Sequence, residues 1–272
     1  MSYELLILPK KWLFTNDGPE KFNVLANVIN KAYSKPMHKY GIINSPRIKQ
    51  PAKFLDDLQV TEGKECFITI LLGTDAVFSK IEAETGFKRK FHYDLYPLST
   101  SINSDIPKEY KPYFGPLLPD SNVKIIVADA STTIDNALAD RIAAVCGYKS
   151  YSEEERTIER AGVKEYELTT FVSFMSGSGP ELLNYTLANF LCTLESEFID
   201  LKNAQKCIVY AVVIREHDLV RYYTTKCQFD LFGKPDMCVP MSGEGSPLEW
   251  GIVSTRDFHL SFLQREVPFK KN

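Results

Sequence analysis

Residues 166–183 read Tyr166-Glu-Leu-Thr-Thr-Phe-Val-Ser-Phe-Met-Ser-Gly-Ser-Gly-Pro-Glu-Leu-Leu183. A β-forming run passes straight into Ser176-Gly177-Ser178-Gly179, and Pro180 then opens a helix, as proline does at a first helical position. Glycines at alternate positions remove side-chain bulk, so neighbouring N–H groups can face one anion. The helix N-terminus adds unsatisfied donors and about half a positive charge. A phosphate-gripping turn is therefore expected here. Two standard phosphate loops fit less well. A Walker loop needs Lys and then Ser or Thr after its last glycine, where this chain has Pro180 and Glu181. A dinucleotide fingerprint needs a third glycine, and Leu182 stands in that place. The stripe Leu183, Leu187, Phe190, Leu191 and Leu194 reads as the buried face of the helix.

Regular elements flank this unit on both sides. Residues 3–8 read as a strand ended by Pro9. Phe22, Leu25, Ala26, Ile29 and Ala32 repeat at helical spacing over about 19–33. A short helix is expected over 51–58 and a strand over 65–72, which a second strand over 76–82 would join as a hairpin through Gly73-Thr74-Asp75. Residues 97–122 are rich in Pro, Ser, Asn and Asp and read as a loop. A strand is expected over 123–128. A helix capped at Ser131–Thr133 should follow, with Ile134, Leu138, Ile142 and Val145 inward and Gly147 as its stop. The charged run 152–160 reads as a solvated turn or helix. Downstream come a strand over 165–174, a helix over 180–198 and an apolar strand over 206–214. A short helix over 217–226 and strands near 229–231 and 255–262 complete the pattern. A mixed α/β sheet in one domain follows.

Composition narrows the function classes. Hydrophobic residues make up 44% of the 272 and charged residues 25%, ordinary globular usage. The net charge of −3 and pI near 5.9 give no bulk attraction to nucleic acid or to an anionic membrane, and clusters such as Lys88-Arg89-Lys90 read as solvated faces. No stretch approaches the ~20 apolar residues of a membrane span, and Glu4 interrupts the apolar start where an export signal would run unbroken. Six cysteines without a Cys-x-x-Cys pair suit reduced thiols in the cytoplasm, and no structural metal site is expected.

The order of strand, two helices, hairpin, long strand, Gly-loop, helix, strand and short helix resembles the GNAT (Gcn5-related N-acetyltransferase) superfamily. The likeness is clearest over 165–232. There a strand like Glu167-Leu-Thr-Thr-Phe-Val-Ser leads to a loop whose Gly177 and Gly179 match the family's two small positions. Phe174 stands where the family carries Gln or Arg. Ile214-Arg-Glu-His-Asp-Leu-Val-Arg-Tyr-Tyr-Thr-Thr-Lys-Cys-Gln-Phe resembles its second motif, with Gln228 in place of a glycine. The resemblance implies a GNAT-like acyl-CoA N-acyltransferase fold over 1–272, with an insertion at about 85–164 that shapes the acceptor pocket. It implies an N-acetyltransferase using acetyl-CoA as cosubstrate on a small amine or amino-acid-like acceptor, without nucleic acid, membrane or metal. Phe171, Val172, Ser173, Phe174, Met175, Ser176, Gly177, Ser178 and Gly179 would hold the cofactor, the backbone of 171–175 polarising the thioester. Tyr223, with Tyr222 second, would donate to the departing sulfur, since phenol and thiol have similar pKa values. Glu167 would serve as base, with His217 and Glu216 as neighbouring alternatives. The cysteines suit nucleophilic catalysis poorly, because none has a His partner at readable spacing.

Two other readings stay open. One is a weakly active or inactive protein of the same build that serves as a binding or regulatory module. The other is a nucleotide-binding α/β protein with 123–130 as its central strand.

Overall fold

Strand-forming runs that alternate apolar residues to both sides dictate a sheet buried on both faces. The computed structural model describes residues 2–15, 17–90, 105–151, 161–192, 199–201, 204–243, 248 and 251–269. In chain order its elements are β1 (Tyr3–Pro9), α1 (Lys10–Leu13), α2 (Asn23–Tyr40), α3 (Phe54–Asp57), β2 (Cys66–Gly73), α4 (Asp75–Thr85) and α5 (Lys111–Phe114). Then come β3 (Lys124–Val127), α6 (Asn136–Arg141), β4 (Ile142–Ser150), β5 (Val163–Ser173), α7 (Ser178–Asn189) and β6 (Lys206–Ile214). The last are α8 (Leu219–Lys226), β7 (Asp230–Leu231), β8 (Met237–Val239) and β9 (Phe258–Pro268). The nine strands form one mixed sheet in the order β3-β1-β2-β4-β5-β6-β9-β7, with β8 also on β9. Only β1 with β3 and β5 with β6 run parallel.

Alternation along each strand divides the core. Leu5, Ile7, Phe67, Leu71 and Cys146 face α7 and α8, whereas Leu6, Leu8, Ile68, Ile70 and Val145 face α1, α2 and α3. A smaller cluster of Ile42, Val239, Phe258, Leu260 and Phe262 lies beneath β8 and β9.

Several expectations need correction. Residues 76–82 form no hairpin strand but lie within α4. Val77, Phe78 and Ile81 recur at helical spacing toward the core, and Gly86, at φ +73°, ends the helix by donating to the Glu82 carbonyl. The helix expected from Ser131 to Gly147 is only α6. Asp135 caps it by accepting from the Leu138 N–H at 2.8 Å, and strand β4 begins at Ile142. Gly147 is no helix stop. A Cβ there would lie 2.7 Å from Thr170 Cγ2 and 3.1 Å from Thr169 Cγ2, so glycine admits β5 at the irregularity in the β4–β5 register. Strand β3, proposed above as a central strand, is an edge strand beside β1. The stretch 85–164 supplies β3 and also β4, which lies between β2 and β5 within the sheet. Arg89 is buried instead of solvated and donates to the Asp140 and Ile142 carbonyls. Helix α2 runs to Tyr40 through Pro36 and ends where Gly41, at φ +63°, donates to the Met37 carbonyl. The run 152–160, Leu194 and the end of the helix expected over 180–198 lie outside the described residues.

One irregularity positions the site. Strands β5 and β6 pair only from Val163↔Lys206 to Glu167↔Tyr210. Beyond that point β5 stays on β4 as far as Ser173, and β6 stays on β9 as far as Ile214. The two strands part, and the sheet opens as a fork.

Candidate functional site

The arms of the fork, Leu168–Ser173 and Ala211–Ile214, line a cleft of about 1510 Å³ that α2, α8 and the segments after α2 help enclose. Backbone groups alternate sides along a strand. Phe174 donates its N–H to Ala143 on the β4 side. Thr169 and Ser173 have the opposite parity, and their carbonyls accept from Arg47 Nη2 and Lys35 Nζ, each at 3.0 Å. Phe171, midway between them, shares that orientation and presents its amide and carbonyl to the cleft. Both cations are also cleft residues, and Lys35 pairs with Asp105.

The residues expected to hold a cofactor separate into two groups. Phe171, Val172 and Ser173 line the cleft. Phe174 and Met175 are buried in opposite cores, 1% and 2% exposed. Lys35 and Arg89 stand over the Phe174 ring at 4.9 and 5.6 Å, so the apolar residue at this position is a packing platform. Ser176 and Gly177 are exposed, Gly177 at φ +81°. Ser178 is fully buried, its hydroxyl shared among Ala143 O, Met175 O and Ser173 Oγ.

Internal bonds also take two N–H groups of the turn read from the sequence as a phosphate cradle. The Ser178 N–H donates to the Met175 carbonyl, the Glu181 N–H donates to the Gly177 carbonyl, and Pro180 has no N–H. The Glu181 carboxylate, ion-paired with Lys111 at 2.8 Å, already occupies the first turn of α7. Gly179 has another use: a Cβ there would lie 3.2 Å from Phe171 Cζ and 3.5 Å from Tyr222 Oη. Its bareness lets α7 pack onto the fork.

Helix α8 brings both tyrosines to the cleft, opposite Phe171. Tyr223 is 7% exposed and packs edge-on against Phe171 at 5.6 Å and Phe229 at 5.4 Å. Burial raises its pKa well above the usual phenol value, so the hydroxyl stays protonated and can donate. Burial likewise raises that of Tyr222. Gln228, after the helix, has φ +59°, a backbone conformation glycine adopts most easily, and its Oε1 accepts from Arg265.

Glu167 sits at the crotch of the fork. It pairs with Tyr210 on one side and with Lys149 on the other, and its carboxylate lies 3.5 Å from Lys149 Nζ, which also donates to Gln59. His217 lines the cleft from the turn Arg215–His217, with the ring stacked on Tyr40 at 4.9 Å. Glu216 points elsewhere: its carboxylate accepts from the His259 N–H at 3.0 Å and meets His259 Nδ1 at 2.8 Å.

The sequence reading missed Lys35, Tyr40 and Arg47. The first two lie in the part of α2 beyond the expected helix end, and no local pattern marks Arg47. Among the described residues, six cationic side chains (Lys35, Lys39, Arg47, Lys64, Lys149 and Lys234) and three carboxylates (Asp56, Glu65 and Glu167) line the cleft. All six cysteines but Cys238 are buried, with burial pushing the Cys66 thiol up to about 11 and that of Cys227 up to about 12. Thiols held protonated in this way are poor nucleophiles. Among the described residues no group of His, Cys, Asp and Glu is arranged to hold a metal, and no helix is long and apolar enough to cross a membrane.

Comparison with known proteins places the chain in a different family from the one its Gly-loop resembles. The family model described as sporulation protein RMD6 matches residues 1–267. Sporulation protein RMD6 of Saccharomyces cerevisiae (strain ATCC 204508 / S288c) is 28% identical over 228 residues, 83% of this chain and 79% of its own. The expected membership in the GNAT superfamily is thereby overturned. The likeness rested on the order of elements and on two short stretches within 165–232, whereas the family match covers residues 1–267. The chain belongs to the sporulation protein RMD6 family.

Proposed function

We propose that the β5–β6 fork is a site of acyl transfer from acetyl-CoA to an amine, in the cytoplasm and, as the yeast relative's name says of that protein, in the service of sporulation. The observation that carries this reading is the unpaired inner edge of β5 beside a cleft of about 1510 Å³. An extended ligand bearing amides, such as the pantetheine arm of CoA, can pair with such an edge as an added strand does. The Phe171 amide and carbonyl are the pairing groups. Acetyl-CoA, once bound, would supply the thioester.

The chain's own residues have defined tasks in this reading. The Phe171 backbone orients the arm. As the amine nitrogen bonds the acyl carbon and the C–S bond breaks, Tyr223 donates a hydrogen bond to the departing thiolate. The proton lost by the amine passes to solvent or to the thiolate as CoA leaves. The raised pKa of Tyr223 opposes full proton transfer and favours a hydrogen-bonding role. Glu167, neutralised by Lys149, keeps charge balanced at the crotch. The excess of cations lining the cleft, in a chain of net charge −3, favours an acceptor that carries a carboxylate, such as an amino acid, over a polyamine.

Release of free CoA from acetyl-CoA, followed across amino acids and polyamines, tests this proposal. Turnover is expected with a carboxylate-bearing amine, and Tyr223→Phe should lower kcat about tenfold with little change in KM. Equal rates in the wild type and in Tyr223→Phe would remove the tyrosine from the mechanism. A second reading, acyl-CoA binding without efficient turnover, is favoured by the occupied first turn of α7 and by Glu181 within it. Binding with no CoA release from any amine would support that second reading.

A further inference from the structure

The Nε2 atom of His217 is buried and makes no hydrogen bond among the described residues, and the residue is only 7% exposed and lines the cleft. A buried polar atom without a partner costs stability and is rare in folded proteins, so it calls for a reason. A histidine that merely filled the core would be bonded or replaced by an apolar residue.

The surroundings hold the ring in one orientation. It stacks face to face on Tyr40 of α2, with centroids 4.9 Å apart and planes 21° from parallel. Its own turn is pinned on the side away from the cleft. Arg215 Nη1 bonds Asp236 at 2.9 Å, Ser261 donates to the same carboxylate at 2.7 Å, and Glu216 is held by His259. Asp218, the next residue, has φ +57°, a left-handed conformation that aspartate adopts more readily than most residues other than glycine and that turns the chain into α8. Flanking anchors and a stacked ring together hold one unpartnered nitrogen in the wall of the cleft. This is how a binding group is preorganised.

We infer that His217 Nε2 receives the amine of the acceptor, accepting a hydrogen bond from its N–H and so turning the nitrogen lone pair toward the acyl carbon. The inference rests on the acyl-transfer reading and names the acceptor contact within it. Burial, opposed by Glu216, draws the His217 pKa from 6.5 down to about 4, so the ring is neutral at physiological pH and Nε2 can offer a lone pair when the proton is on Nδ1. Of the two positions next to each other in sequence, His217 faces the cleft and Glu216 does not.

Side-chain nitrogen NMR of the full chain tests the contact. The His217 resonance is assigned by its loss in His217→Gln, and L-glutamate, an acidic peptide and spermidine are added in turn in the presence of CoA. The Nε2 resonance should move saturably with at least one amine. In His217→Gln the KM for that amine should rise about tenfold, with acetyl-CoA affinity unchanged within about twofold. A resonance unmoved by every amine, or an unchanged KM in the variant, overturns the inference. If acetyl-CoA fails to bind while the resonance still moves with an amine, acyl transfer falls and the contact stands. If His217→Gln does not fold, His217→Phe supplies the assignment and the wild-type titration decides the matter.

Discussion

Between pH 6.5 and about 4, the wild-type protein should lose about 3 kcal/mol of stability that a His217→Phe variant keeps. The folded-state pKa of His217 is lowered from 6.5 to about 4, first by burial, with Glu216 opposing. In that window the unfolded chain takes up a proton at this residue that the folded chain refuses, so acid favours unfolding. The sign is opposite to that of a histidine gaining a partner. Stability is flat at this site above the unfolded pKa, falls as pH drops through the window, and levels off below the folded value. Integrated to pH 5 alone, the loss is about 2 kcal/mol. His217→Phe keeps a ring stacked on Tyr40 and removes both the titrating group and the unpaired nitrogen, so it should be no less stable than wild type at pH 7. Urea unfolding of both proteins at pH 7 and pH 5 measures the difference. Identical pH slopes would show that the ring is bonded or solvated in the folded protein.

The second large effect lies at the crotch of the fork. Lys149 Nζ lies 3.5 Å from the Glu167 carboxylate, the side chains being 11% and 20% exposed. Ion pairs so placed are costly to break one-sidedly, because the survivor keeps its desolvation cost without its counter-charge. Lys149→Met should therefore cost about 2–3 kcal/mol, and loss of the hydrogen bond to Gln59 adds to it. Adding Glu167→Met to that variant should recover most of the loss, because no charge then remains. A double-mutant cycle by urea unfolding should give a coupling of about 2 kcal/mol, and one indistinguishable from zero would mean that water screens the pair.

The sequence made the long, strongly patterned elements legible. The apolar run Lys206–Ile214 is β6 to the residue, and Val163–Ser173 forms β5 close to where its β-formers place it. The misreadings share a cause. Ile142–Val145 fits a helical stripe as well as a strand, and only burial between β2 and β5 decides the matter. At the site, tyrosines 222 and 223 and Glu167 were identifiable because they sit on patterned elements. Gly179 is ambiguous in sequence, since a close approach by Tyr222 or Phe171 leaves the same mark as a phosphate. The cations were invisible for another reason: Lys35 meets Ser173 across 138 positions, and Arg47 meets Thr169 across 122. Family membership was not visible in any short motif, since the match extends over residues 1–267.

Backbone amide exchange, measured with and without acetyl-CoA, bears most directly on the fork as a binding site. Bound acetyl-CoA should slow exchange in Leu168–Ser173, where the inner edge gains a partner, while β3 at the far edge stays unchanged. Absence of binding at millimolar acetyl-CoA, or binding that leaves exchange in Leu168–Ser173 unaltered, would contradict the fork as the place where the acyl donor is held.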